Sequence, residues 1–141
     1  MKKLSILFLS ALSLGMTVVS CSSDDNGAEA SIEGKWNLSK MSMTSSAGTT
    51  PEMDNPENAS GCNKNYLEIK AGGVASYGSY EGTVCTLSTE TGTWSKDGNK
   101  ITIKFGTETD VYEVVSVTNS GLTLRNTYAE AGISVNSIFT K

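Results

Sequence analysis

The chain has 141 residues, 38% hydrophobic and 18% charged, with fourteen glycines, two prolines, three cysteines and no histidine. Setting aside an apolar leader and a polar stretch leaves about 110 residues, enough for one domain with a true core, too few for tandem domains, and with little room for a large internal cavity. The lack of histidine removes the commonest general base and metal ligand. Lys2 and Lys3 precede Cys21 and every acidic residue follows it, which leaves nine basic residues against fifteen acidic ones beyond that point. With Arg125 the sole arginine and no basic cluster, neither a phosphate-tracking groove for nucleic acid nor an electrostatic membrane patch can be assembled.

Met1-Lys2-Lys3 is a cationic start to an apolar run from Leu4 to Val19, diluted by Ser5, Ser10, Ser13 and Thr17. A membrane-spanning helix needs about 20 apolar residues, so this shorter run reads as a cleaved signal peptide over residues 1–20. Val18-Val19-Ser20-Cys21 resembles the lipobox of bacterial lipoproteins, where cleavage precedes a cysteine that then receives acyl chains. The resemblance implies lipid attachment at Cys21 and a lipid-anchored place at the bacterial outer membrane, several acyl chains being what stable anchoring requires. The plain alternative is a cysteine that falls by chance behind an ordinary secretory signal. Residues 21–31 lack large apolar side chains before Ile32 and read as a disordered tether. Asp24 and Asp25 either resemble an export signal for the outer face or merely solvate that linker, so periplasmic and surface locations both stand.

From Ile32 onward, short runs rich in Thr, Val, Ile and Tyr alternate with Gly, Asn and Asp. No sustained helical stripe occurs; at most a brief helical turn fits around Pro51 to Asn58. Residues 32–141 are therefore expected to form one all-β domain with strands near 34–44, 65–71, 73–80, 82–88, 91–96, 99–106, 110–118, 121–128 and 132–140. Leu67 and Ile69, then Ile101, Ile103 and Phe105, then Leu122 and Leu124, alternate with polar neighbours, Arg125 among them, as one-sided antiparallel strands do. The run Val111 to Val117 is apolar on both sides and is expected to be central or covered. Asp97-Gly98 and Asn119-Ser120-Gly121 are hairpin turns, so sequence neighbours pair in space. An up-and-down antiparallel β-barrel of about eight strands satisfies these links and leaves no open edges.

Cys62 and Cys85 are predicted to pair in an oxidising compartment, closing a loop worth about 3 kcal/mol, with a free thiol as the competing reading. Trp94 follows both cysteines instead of lying between them, which argues against an immunoglobulin domain.

Gly34-Lys35-Trp36 is similar to the Gly-x-Trp motif that opens the first strand of lipocalins, and Arg125 stands in a late strand where a lipocalin keeps an arginine over that tryptophan. The resemblance implies that Gly34, Trp36 and Arg125 close one barrel end through a cation–π contact. The chain more closely resembles the lipocalin-like domain of small bacterial lipoproteins, through Gly34-Lys35-Trp36, Cys62 to Ile69, Cys85, Gly92-Thr93-Trp94, Asp97 to Ile103 and Tyr112 to Leu124. That family's fold implies ligand binding by analogy only. Met41, Met43, Leu67, Ile69, Trp94, Ile101, Ile103, Phe105, Leu122 and Leu124 are the candidate pocket or core lining, with Met41, Met43, Trp94 and Phe105 able to fill the interior.

Tyr66, Tyr77, Tyr80, Tyr112 and Tyr128 read either as faces at a pocket mouth or as ordinary strand tyrosines. Asp54 to Asn58 offers oxygens for Ca²⁺, but its spacing matches no calcium loop and a solvated loop explains it better; no metal and no cofactor is expected. No motif positions two acids, and a nucleophilic triad lacks its base, so an enzyme is not expected. Three readings remain, two of them binding functions. One is an envelope lipoprotein whose barrel binds a small apolar or amphipathic molecule, which needs an internal void of about 300 Å³ or more. The other is a protein-interaction module, for surface assembly or protease inhibition, with a solid barrel and an exposed apolar patch. A purely structural lipoprotein is a third.

Overall fold

The computed structural model describes residues 30–141. The leader, Cys21 and most of the expected tether lie outside the described residues. Ten strands follow in order: β1 (Gly34–Ser45), β2 (Gly48–Thr49), β3 (Met53–Asp54), β4 (Tyr66–Lys70), β5 (Val74–Glu81), β6 (Thr86–Asp97), β7 (Lys100–Phe105), β8 (Glu108–Val117), β9 (Gly121–Tyr128) and β10 (Ile133–Thr140). A 3-10 turn at Ala129–Ala131 links the last two. Each of β4 to β9 pairs antiparallel with the next, β4 pairs with β1, and β10 returns to β1, so eight strands close a barrel. The all-β, up-and-down architecture expected from the alternation is thus the one observed. Closure removes the edges that a flat sheet of this length would expose.

The expected strands at 82–88 and 91–96 are one element. Thr86 to Thr93 pairs without a break against β5, and Thr93 to Asp97 pairs with β7; residues 82–85 form the turn before it. Ser88-Thr89-Glu90 carries no apolar alternation, which is why it reads as a gap, yet a backbone ladder needs only N–H and C=O groups. No helical turn forms around Pro51 to Asn58. That stretch pairs Met53 and Asp54 with Met41 and Lys40 of β1 and then turns.

Alternation decides what is inside. Trp36 and Leu38 of β1, Leu67 and Ile69 of β4, Ala75 of β5, Ile101 and Ile103 of β7, Leu122 and Leu124 of β9 and Phe139 of β10 are buried together, with Ile32 sealing them from below. Each full apolar side chain here stabilises by about 1.5–3 kcal/mol relative to exposure. The members at the end where the chain enters, Ile32, Trp36, Ile69, Ile101 and Leu122, make the barrel floor. Trp36 is fully buried; its Nε1–H donates to the Ile32 carbonyl at 2.7 Å. Gly34 beside it has φ +134°, and the Lys141 stem passes where a side chain would sit.

Lys141, not Arg125, supplies the cation over Trp36, its Nζ 4.5 Å from the ring. Arg125 pairs in register with Asn136 and Glu113, whereas Asn37, next to Trp36, pairs with Thr140. Arg125 therefore stands several residues above the floor. Because Leu122 and Leu124 point inward, alternation turns Arg125 outward. There it donates to Asn136 Oδ1 at 3.0 Å and meets Glu113 at 3.4 Å, and Asn136 Nδ2 donates to Ser42 at 3.2 Å.

Candidate functional site

The end opposite the floor is open. β4 has only five residues, so above Asn37 nothing pairs with β1 on that side except β2 and β3. The segment between β1 and β4 lies in this gap as a flap. Its fasteners are asparagines. Asn55 N–H donates to the Ser39 carbonyl at 3.1 Å, at a register irregularity of β1, and Asn58 Nδ2 donates to the Leu38 carbonyl at 2.8 Å. Asn65, 2% exposed, donates through Nδ2 to the Glu57 carbonyl and accepts at Oδ1 from Tyr80 N–H at 2.9 Å. The Cys62–Cys85 disulfide ties this flap to the β5–β6 turn, so the two cysteines do pair. Cys85 holds φ +54°, the one left-handed non-glycine among the described residues. The reading of Asp54 to Asn58 as a solvated loop needs correction at Asn55, which is buried because its carboxamide oxygen accepts from Glu57 N–H at 2.9 Å.

Flap and barrel together enclose a cavity of about 520 Å³. Leu38, Leu67, Ile103, Phe105, Leu124, Val135 and Phe139 form its apolar depth, with Met41 on one wall. The expectation of little internal room is overturned. Small and polar inward groups contribute to it: Ser137 and Asn126 line the wall among the larger apolar side chains. Among the residues expected to fill the barrel, Met41 and Phe105 line the cavity without closing it. Trp94 packs against the core near the floor, donating to the Lys70 carbonyl at 2.8 Å, and Met43 stands half-buried opposite Val135. Ile69, Ile101 and Leu122 belong to the floor, whereas Leu67, Ile103, Phe105 and Leu124 face the void. A larger depression of about 810 Å³ lies outside the floor, between Ala30–Ile32 and β8; its walls include none of the barrel's inner cluster except Ile32.

The upper part of the cavity is polar. Glu57 of the flap, Glu90 of β6 and Glu108 and Asp110 of β8 line it together with Tyr77, Tyr112, Tyr128 and Asn126. Tyr77 donates its hydroxyl to Glu57 Oε2 at 3.2 Å. Burial first, and then the Glu57 charge, push the Tyr77 phenol up to about 12. Burial, followed by Asp110, raises Tyr112 further still. Both phenols are therefore neutral donors at any physiological pH. Tyr66 and Tyr80 instead sit on the outer wall, where the Tyr66 ring lies across Gly78 and Lys35 Nζ stands 3.7 Å above it. The tyrosines thus divide between the two earlier readings.

Candidate residues drawn from apolar alternation found the cavity's depth and missed its mouth. Glu90, Glu108 and Asp110 carry the same inward parity as Trp94, Tyr112 and Val114, which was the available signal. The expectation that Val111 to Val117 is covered on both sides fails at the outer face: Val111 is 50% exposed and Val115 43%.

Residues 32–124 match the model of a lipocalin-like domain. No curated protein matches the chain. Among solved structures, a lipocalin-like protein from Bacteroides uniformis superposes with a TM-score of 0.54 at 20% identity, over 77% of this chain and 96% of that one. An uncharacterized protein from Bacteroides eggerthii gives a TM-score of 0.54 at 11% identity, over 77% and 98%. These likenesses concern the fold. With the matched span covering most of the barrel that the register, floor and cavity define, the chain belongs to the lipocalin-like domain family.

Proposed function

We propose that this protein is a lipid-anchored lipoprotein of the bacterial cell envelope, held at the outer membrane through Cys21, whose barrel takes up one small apolar or amphipathic molecule through its open end and performs no catalysis. The cavity of about 520 Å³ carries the reading. It lies within the size range of small-molecule sites, it is apolar in depth and polar at one end, and it exceeds the void that the binding hypothesis required. A module acting through its loops alone gains nothing from an unfilled interior, which weakens every side-chain layer around it. The lipobox-like Val18-Val19-Ser20-Cys21 supports the anchor.

Titration of the unacylated chain with N-phenyl-1-naphthylamine, a neutral apolar probe that brightens out of water, tests the cavity. One saturable site, lost when Leu124→Trp fills the wall, is expected; no saturable binding refutes the reading. Metabolic labelling with a fatty-acid analogue tests the anchor, with incorporation expected in the natural sequence and absent in Cys21→Ser.

A further inference from the structure

β8 reverses the rule that builds the rest of the barrel. Its inward positions nearest the mouth are Glu108 and Asp110, while Val111 between Asp110 and Tyr112 faces water. Glu108 and Asp110 are exposed and stay hydrated where they stand, yet on the cavity side of the strand they put negative charge at the mouth where a valine could have extended the apolar lining. Glu90, inward on β6, and Glu57, from the flap, add carboxylates from two further elements. Among the described residues none of these four has an ion-pair partner, and no lysine or arginine lines the cavity. Nor do they gather into a group able to hold a metal ion; they are spread around the rim. Tyr77, Tyr112 and Tyr128 line the same end, and aromatic rings attract organic cations.

We infer that the ligand is a cationic amphiphile, an apolar body in the cavity's depth with an amine or quaternary ammonium head among the rim carboxylates and tyrosine faces. The inference rests on the reading of the barrel as a ligand-binding cup and adds the sign of the ligand's charge. A fatty acid would place its carboxylate in this same negative field and be disfavoured. The half-buried phenols of Tyr77 and Tyr112, held neutral chiefly by burial, feel the same charge: Glu57 and Asp110 add to the opposition to their ionisation.

The test is calorimetric titration of the chain from residue 21 onward, carrying Cys21→Ser so that no acyl chain competes, with octyltrimethylammonium, 1-octanol and octanoate below their micellar concentrations. The ammonium should bind at least roughly tenfold more tightly than the alcohol, and octanoate more weakly than the alcohol. In Glu90→Gln/Asp110→Asn the ammonium preference should fall to roughly threefold or less while 1-octanol stays within about twofold. Glu33→Gln/Asp97→Asn, which makes the same change in net charge at the floor end, should keep the preference. Octanoate binding as tightly as the ammonium, or an equal loss in both double variants, overturns the inference while leaving the cup intact. Failure of 1-octanol itself to bind removes the cup and the inference together.

Discussion

Replacing Cys62 and Cys85 together by serine removes a bridge whose Cα atoms are 5.4 Å apart and whose ends are separated by 23 positions. On the chain-entropy relation, a loop of this length restricts the unfolded chain by about 3 kcal/mol at 25 °C. For a domain of about 110 residues, where each kcal/mol moves Tm by roughly 4 °C, the midpoint should fall by roughly 12 °C. The folded barrel should change little, because Asn55, Asn58 and Asn65 fasten the flap independently of the sulfurs. Guanidinium unfolding followed by near-ultraviolet circular dichroism separates the two states: the slope m should rise, since the uncrosslinked unfolded chain exposes more surface. A second variant, with glycine in place of serine at position 85, should recover about 1 kcal/mol, because φ +54° there strains any residue with a Cβ. A fall of less than about 3 °C with an unchanged slope would show that the bridge does not act on the unfolded chain, and the reasoning would fail.

Asn65→Ala leaves the part-buried Glu57 carbonyl and Tyr80 N–H without their partner and should cost about 1–2 kcal/mol, with amide exchange rising first in the flap. Lys141→Ala should destabilise by about 0.5–1 kcal/mol in urea, while Arg125→Ala, whose guanidinium meets an exposed carboxylate on the outer wall, should stay within about 0.5 kcal/mol; the reverse order would restore Arg125 to the floor. Alkaline unfolding should begin as pH passes 10. Tyr77 in the unfolded chain ionises there, whereas the folded chain resists until about 12, so the stability present below pH 10 is lost as pH climbs through that window. Absorbance at about 295 nm reads the titration, and Glu57→Gln should lower the Tyr77 value by removing a negative neighbour.

How much of this was legible in the residues depends on what signals them. Leu67 and Ile69, or Ile101, Ile103 and Phe105, announce a strand because a one-sided strand must bury one parity and wet the other. β6 was split because Ser88-Thr89-Glu90 has no apolar parity to read, although the ladder to β5 continues through it. The flap was opaque for a different reason. It is fastened by the carboxamides of Asn58 and Asn65 and the N–H of Asn55 to partners as far as twenty positions away, which leave no local periodicity. Lys141 was overlooked because Arg125 matched a family habit, even though its own neighbours Leu122 and Leu124 already assigned it to the outer face.

The cavity was the hardest feature to foresee, and its cause explains why. A closed eight-stranded wall is just wide enough either for its own side chains or for one small ligand, so the sequence leaves open whether Met41, Met43, Trp94 and Phe105 fill the interior. This wall is not eight strands wide at every height. Near the floor β4 completes it, and Trp36, Ile69, Ile101 and Leu122 pack to full burial. Higher up, where β4 has ended, the flap takes its place and contributes Asn55, Pro56 and Glu57 to the cavity wall. Inward positions there are given to Ser137 and carboxylates instead of branched apolar groups. Stability is therefore concentrated in the lower half, where core substitutions of Leu or Ile to Ala should cost about 2–5 kcal/mol, and the upper half is left free to vary in shape and charge. If that division holds, Ile101→Ala should unfold the barrel far more readily than Met41→Ala, although both residues point inward. Equal costs at the two heights would mean that the cavity is packed as tightly as the floor in solution.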